Sequence, residues 1–89
     1  MTNTERELRE FVNETFLFGQ GVDELRGDDS FLELGIIDST GILELVNFLE
    51  RQYNIELADS ELVPENLDSV NRVVRFVGRK RAERVEAAI

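Results

Sequence analysis

Residues 35–53, GIIDSTGILELVNFLERQY, decide how the chain folds. Ile42, Leu45, Val46, Leu49 and Tyr53 recur at helical spacing and share one side of a helical wheel. Thr40, Glu44, Asn47 and Arg51 fall on the opposite side, with Leu43 and Glu50 on the flanks. The spacing predicts an amphipathic helix over 39–53, ended by Asn54. An Asp-Ser pair precedes it. Both residue types are favoured N-caps, because their side-chain oxygens accept hydrogen bonds from free backbone N–H groups. Ser39 therefore has two readings. It is a cap, or it is an accessible hydroxyl at a helix N-terminus, where unpaired N–H donors and a partial positive charge suit a phosphate. The small neighbours Thr40 and Gly41 leave it accessible.

Upstream, residues 4–17 read as a helix with Leu8, Phe11, Val12 and Phe16 on its apolar face. Thr4 and Glu7 have capping-box spacing, and Gly19 is a stop. Residues 19–38 form a long connection rich in Gly and Asp. Connections of this length are unusual in small domains and often functional. Its Val22, Leu25, Phe31, Leu34, Ile36 and Ile37 predict that it packs against the helices, with Phe31 and Leu34 on a short helical turn. Downstream, residues 55–57 are extended. Residues 59–63 make one short turn capped by Asp59 or Ser60 and stopped by Pro64. Residues 69–80 read as the last main helix, capped by Asp68 or Ser69, with a stripe of Val70, Val73, Val74 and Val77. Gly78 weakens any continuation. The expected fold is all-α, with three main helices, one short helix and a long first loop. It forms one domain over 1–89, with its core at about 4–80 and a basic tail at 81–89.

Composition narrows the function. At 89 residues the core is small. The chain has no Cys and no His. That excludes disulfides, thiolate nucleophiles and Cys-ligated metals, together with Ser-His-Asp and Cys-His catalytic sites. No G-x-x-x-x-G-K-[ST] phosphate loop is present. Asp28 and Asp29 lack the further acidic residues of an EF-hand, so they read as a solvated acidic loop rather than the metal site of a hydrolase. No catalytic residue and no metal ligand is expected. The polar N-terminus is not a signal peptide, and no apolar run is long enough to span a membrane, so a cytoplasmic protein is expected. Residues 1–71 hold 17 Asp/Glu against 4 Arg, net −13, while residues 72–89 hold 2 Glu against 6 Lys/Arg, net +4. An acidic surface repels phosphate backbones, so nucleic acid is not the expected ligand. Proteins with basic patches are.

Asp28, Phe31, Glu33, Leu34, Gly35, Asp38, Ser39, Glu44 and Leu45 stand in an order that carries more information than any of them alone. Together with the connector YNIEL, the run DDSFLELGIIDSTGILELVNFLERQYNIEL (residues 28–57) resembles the acyl and peptidyl carrier protein family. The likeness extends in helix order and charge balance over about residues 4–80. It implies an acyl-carrier-like four-helix bundle with 4′-phosphopantetheine, taken from coenzyme A, on Ser39. Asp38 would help the modifying enzyme recognise the site. The terminal thiol would hold an acyl or aminoacyl group as a thioester, which explains how a chain without cysteine serves thioester chemistry. Such a protein is a carrier rather than a catalyst. The implied partners are a phosphopantetheinyl transferase, an adenylating acyl or aminoacyl ligase or a synthase, and a downstream transferase, with the carrier itself a monomer.

In the family the helix after the serine is the recognition helix, which assigns Thr40, Leu43, Glu44, Asn47 and Glu50 to partner contact. The start D-S-T-G departs from the D-S-L-D of the commonest fatty-acid carriers, and G-I-I-D-S is one residue longer than the usual spacing. Both features look like the stand-alone D-alanyl and other aminoacyl carrier proteins. They point to a short or aminoacyl cargo in a specialised pathway. The alternatives are an unmodified helical adaptor with a carrier-like fold, and an acyl carrier of fatty-acid synthesis. The basic residues Arg79, Lys80, Arg81 and Arg84 are a solvated helix end or a docking segment for one dedicated partner.

Overall fold

The computed structural model describes residues 3–19 and 24–88, with side chains as far as residue 83; Val22 and the side chain of Arg84 lie outside the described residues. Helix α1 (Asn3–Val12) runs directly into a π-helical turn, Asn13–Leu17. Leu8 and Val12 are fully buried, and Phe11 and Phe16 pack partly buried beside them. The chain then leaves the helix through Phe18 and Gly19, both in the left-handed region. The expected Thr4–Glu7 capping box does not form. The Glu7 carboxylate instead accepts hydrogen bonds from the phenol of Tyr53 (2.9 Å) and the amide of Gln52 (3.2 Å). A buried tyrosine hydroxyl needs an acceptor, whereas an exposed helix end has water.

Helix α2 (Gly41–Tyr53) buries Leu45, Val46, Leu49 and Tyr53, as its periodicity predicts, and ends at Asn54 in the left-handed conformation. The rings of Phe11 and Phe48 stack at 4.2 Å between centroids and join α1 to α2. Helix α4 (Val70–Ala88) packs against α1, α2 and the short α3 (Pro64–Leu67). The core collects Leu8, Val12, Leu45, Leu49, Val73 and Phe76, among others, and the first loop adds Leu25, Phe31 and Ile37 to it. No strand occurs among the described residues, and the architecture is the expected four-helix bundle.

Three local expectations are corrected. The turn at 59–63 is a 3₁₀ turn over Asp59–Glu61 only. Pro64 does not merely stop it but opens α3, in the first helical position. There its fixed φ suits the helix and its missing N–H costs nothing, while Val63 before it is extended. Helix α4 passes through Gly78 and reaches Ala88. A glycine costs a helix about 1 kcal/mol, less than the burial of Phe76 and Val77 beside it and the Lys80–Glu61 ion pair (3.0 Å) contribute. Of the two expected caps, Ser69 is the one that caps α4, accepting from Arg72 N–H at 3.1 Å. Asp68 has other work.

Candidate functional site

The first loop is built as a clamp. Ser30 starts a helical turn: its Oγ accepts from the N–H of Glu33 (3.1 Å) and donates to the Asp68 carboxylate. The other Asp68 oxygen accepts from Leu32 N–H at 3.0 Å, and the Asp68 carbonyl accepts from Phe31 N–H at 3.0 Å. The turn closes at Gly35, whose φ of 70° is the left-handed value glycine tolerates best. Gly35 N–H bonds to Leu32 O (3.1 Å) and Ile36 N–H to Phe31 O (2.9 Å), the pairing of a Schellman stop. Ile37 is then fully buried, which leaves Asp38 and Ser39 at the surface. Further back, Asn71 N–H donates to Gly27 O (2.9 Å) and its side chain to Asp28 (2.8 Å), while Asp29 accepts from Arg26 N–H (2.9 Å). The two aspartates of the G-D-D run are thus taken up in holding the loop.

At the start of α2 the capping atom is Asp38, not Ser39. Asp38 Oδ1 accepts from Gly41 N–H at 2.6 Å, and its carbonyl accepts from Ile42 N–H at 3.1 Å. Thr40, the residue next to α2, makes no capping bond, so Asp38 does the capping across the turn of Ser39 and Thr40 that leads into the helix. The Ser39 side chain is exposed and its hydroxyl has no hydrogen-bond partner among the described residues. The backbone N–H groups of Ser39 and Thr40 are likewise unpaired among the described residues and lie at the positive end of a 13-residue helix. Gly41 is needed for this geometry: a Cβ there would stand 2.9 Å from the ring of Phe16 and 3.2 Å from Asp38 Oδ1.

The chain's four serines divide cleanly. Ser30 and Ser69 are engaged as described, and Ser69 is buried. Ser60 is exposed, but in a three-residue 3₁₀ turn between two acids, Asp59 and Glu61. Ser39 alone heads a long helix with a free hydroxyl. Two recesses flank this turn, and Ser39 itself lines the first of them. An apolar trough of about 190 Å³ runs from Ser39 past Leu32, Ile42, Val63, Pro64 and Leu67. A more polar one of about 300 Å³ lies on the other side, among Phe16, Ile36, Asp38, Thr40 and Glu44.

Thr40, Leu43, Glu44 and Asn47 form one exposed strip along α2, and Leu43 keeps 56% of its surface in water. Glu50 stands apart from them. It is half-buried and its carboxylate accepts from Leu57 N–H at 3.0 Å. Two roles that the sequence reading did not assign complete the site: Asp68, expected only as a candidate cap of the last helix, anchors the loop, and Ser30 caps it. The S-x-x-E spacing of Ser30 and Glu33 is the signal that would have found that turn.

Residues 17–77 match the family model described as the phosphopantetheine attachment site. The chain belongs to the phosphopantetheine carrier family. Among its relatives are the D-alanyl carrier proteins of Streptococcus pyogenes serotype M5 (strain Manfredo) and serotype M1, each 35% identical over 72 residues, 79% of this chain and 90% of the relative. In a crystal structure of an FAD-dependent dehydrogenase, one chain superposes with a TM-score of 0.69 at 28% identity, covering 79% of this chain and 97% of that one. As a member of the family, the chain carries 4′-phosphopantetheine and serves partner enzymes as a carrier, not as a catalyst. The surface fits that group: it offers a free hydroxyl, two unpaired N–H donors and an apolar trough next to them. Among the described residues no helix is long and apolar enough to cross a membrane.

Proposed function

We propose that the chain is a single carrier domain that bears its phosphopantetheine on Ser39 and presents a short acyl or aminoacyl thioester to the enzymes of a specialised pathway. One observation carries the assignment of the serine: Asp38 takes over the capping of α2, so the Ser39 hydroxyl is free. Capping and attachment are therefore not competing readings of one side chain. When bound, the group supplies a thiol on a long flexible arm. The protein's own part is to offer Ser39 Oγ to the transferase and to hold the N–H groups of Ser39 and Thr40 towards a phosphodiester. Asp38 keeps the first turn in place. The apolar trough is small and open, and the Phe11–Phe48 stack and Phe76 fill the space between the helices, which supports a short cargo. The similarity to D-alanyl carrier proteins supports an aminoacyl one. A phosphopantetheinyl transferase, an adenylating ligase and a downstream acceptor enzyme are the partners this requires. They would meet the strip of Thr40, Leu43, Glu44 and Asn47, with Glu50 at its edge.

The test is intact mass after incubation with coenzyme A and a broad-specificity phosphopantetheinyl transferase. Wild type gains one phosphopantetheinyl group and Ser39→Ala gains none. A gain in both moves the site to another serine, with exposed Ser60 the next to replace. The loaded carrier, offered to candidate ligases with ATP and single amino acids or short acids, then identifies the cargo.

A further inference from the structure

We propose that α4 carries a second docking surface, a basic recess formed by Arg72, Arg75 and Arg79 that receives a carboxylate-rich segment of a partner enzyme. It is independent of which serine is modified. The recess has a volume of about 400 Å³ and is completed by Glu65 and Asn66. Its three arginines recur at helical spacing on one side of α4, a row of about 10 Å at the rise of an α-helix.

The guanidinium groups are positioned and none makes an ion pair among the described residues, although Arg79 adds to the positive field at Glu61. Arg72 donates to the carbonyl of Pro64 at 3.1 Å. Arg79 donates to Asn66 Oδ1 at 2.9 Å and lies 5.7 Å from the centre of the Phe76 ring. These partners are uncharged. Arg75 is exposed and has no partner among the described residues. Glu65 is the one acid lining the recess, and no ion pair joins it to any of the three arginines. The neighbouring cations are spent elsewhere: Lys80 pairs with Glu61 at 3.0 Å, and Arg81 lies over the Tyr53 ring. The recess thus keeps its positive charge on a chain whose net charge is −9. Guanidinium groups already held in place lose less freedom when they bind a carboxylate, and their fork matches it.

The location gives the surface a use. Helix α3 separates the recess from the trough beside Ser39. Pro64 and Leu67 line the trough, and Glu65 and Asn66 line the recess. A partner engaged at Ser39 can therefore reach across one helical turn to the arginines. The strip on α2 presents Glu44 and favours a basic contact, so a partner with opposite charges at the two places could dock in one orientation only. A row of three guanidiniums suits carboxylates spaced along a peptide better than one compact anion. The chain's overall negative charge opposes long polyanions such as nucleic acid.

The test is an NMR titration of the ¹⁵N-labelled protein with a synthetic peptide of alternating Glu and Ser, with a Lys/Ser peptide as control. The proposal expects saturable shifts confined to α3 and residues 70–80, weakened by salt. Arg75→Glu should weaken binding roughly fivefold or more, and Arg75→Lys should stay within about twofold of wild type. Arg75→Gln serves if the reversal disturbs the helical spectrum. Ser39→Ala should bind the peptide as wild type does, which separates this surface from the attachment site. Absent or scattered shifts, or equal binding by Arg75→Glu, overturn the proposal. So does inorganic phosphate saturating the same amides more tightly than the peptide, which would make the recess a small-anion site.

Discussion

Asp68 is the residue on which the site's geometry depends most, and Asp68→Ala tests that directly. Its carboxylate accepts from the Ser30 hydroxyl and from Leu32 N–H, 38 and 36 residues away in sequence. A hydrogen bond to a charged group contributes roughly 1.5–3 kcal/mol. Asp68 is half-buried and Leu32 is exposed, so water replaces part of what is lost. The low end applies to both bonds, and the sum is about 3 kcal/mol. At roughly 0.1 kcal/mol per residue, a chain of this length has about 9 kcal/mol in all. The variant should therefore fold but unfold early. With a urea slope near 1 kcal/mol/M its midpoint should fall by about 2–3 M. Asp68→Asn keeps an acceptor for Leu32 and a neutral partner for Ser30, and should lose only about 1 kcal/mol. Urea denaturation followed by circular dichroism gives both numbers, and amide exchange should show residues 31–37 opening before the core of α1. A loss below about 1 kcal/mol in Asp68→Ala, or equal losses in both variants, would refute the claim that this carboxylate holds the loop.

Three further predictions use other parts of the same frame. Asp38→Ala should cost about 1 kcal/mol as a lost capping bond, while Ser39→Ala should stay within about 0.5 kcal/mol of wild type; thermal melts that reverse this order would return the capping role to Ser39. Gly35→Ala should cost about 1 kcal/mol with Gly35→Asn milder, because φ is 70° there and a Cβ would meet nothing within 4 Å, so the loss is conformational alone. Glu61 sits below the usual carboxylate range, first through the Ala58 N–H and then through Lys80. Its folded pKa is lower than its unfolded one, so its stabilisation is present above about pH 4.3 and is lost as pH falls through the folded value. The stability gap between wild type and Glu61→Gln, about 1 kcal/mol for a half-buried pair that water still reaches, should therefore close on acidification, and a gap that widens would contradict the assignment.

Much of the fold could be read locally. The apolar positions of α1, α2 and α4 repeat within one or two turns, so a period of 3.6 residues exposes the buried face without knowledge of what covers it. The stop at Asn54 and the buried loop residues Leu25, Phe31 and Ile37 follow from residue type in the same way. So does the order of residues around Asp38-Ser39 on which the family resemblance rests. Leu34, expected to pack with the other loop residues, keeps 57% of its surface in water because the turn it sits on points it outward. Tertiary structure decided what depends on distant partners. Of the four Asp-Ser pairs in the chain, 29–30, 38–39, 59–60 and 68–69, the second and the last open long helices and do different work. At 38–39 the aspartate caps and frees the serine; at 68–69 the serine caps and frees the aspartate to reach Ser30. Glu7 has the spacing of a cap yet serves Tyr53, because a buried phenol outbids a helix end that water can satisfy. The basic recess exists only because α3 folds back against α4 and brings Glu65 and Asn66 beside three arginines that sequence shows merely as a charged helix. A hydrogen bond across some thirty residues leaves no periodicity behind, so composition and spacing name the side chains able to make it while packing chooses which of them does.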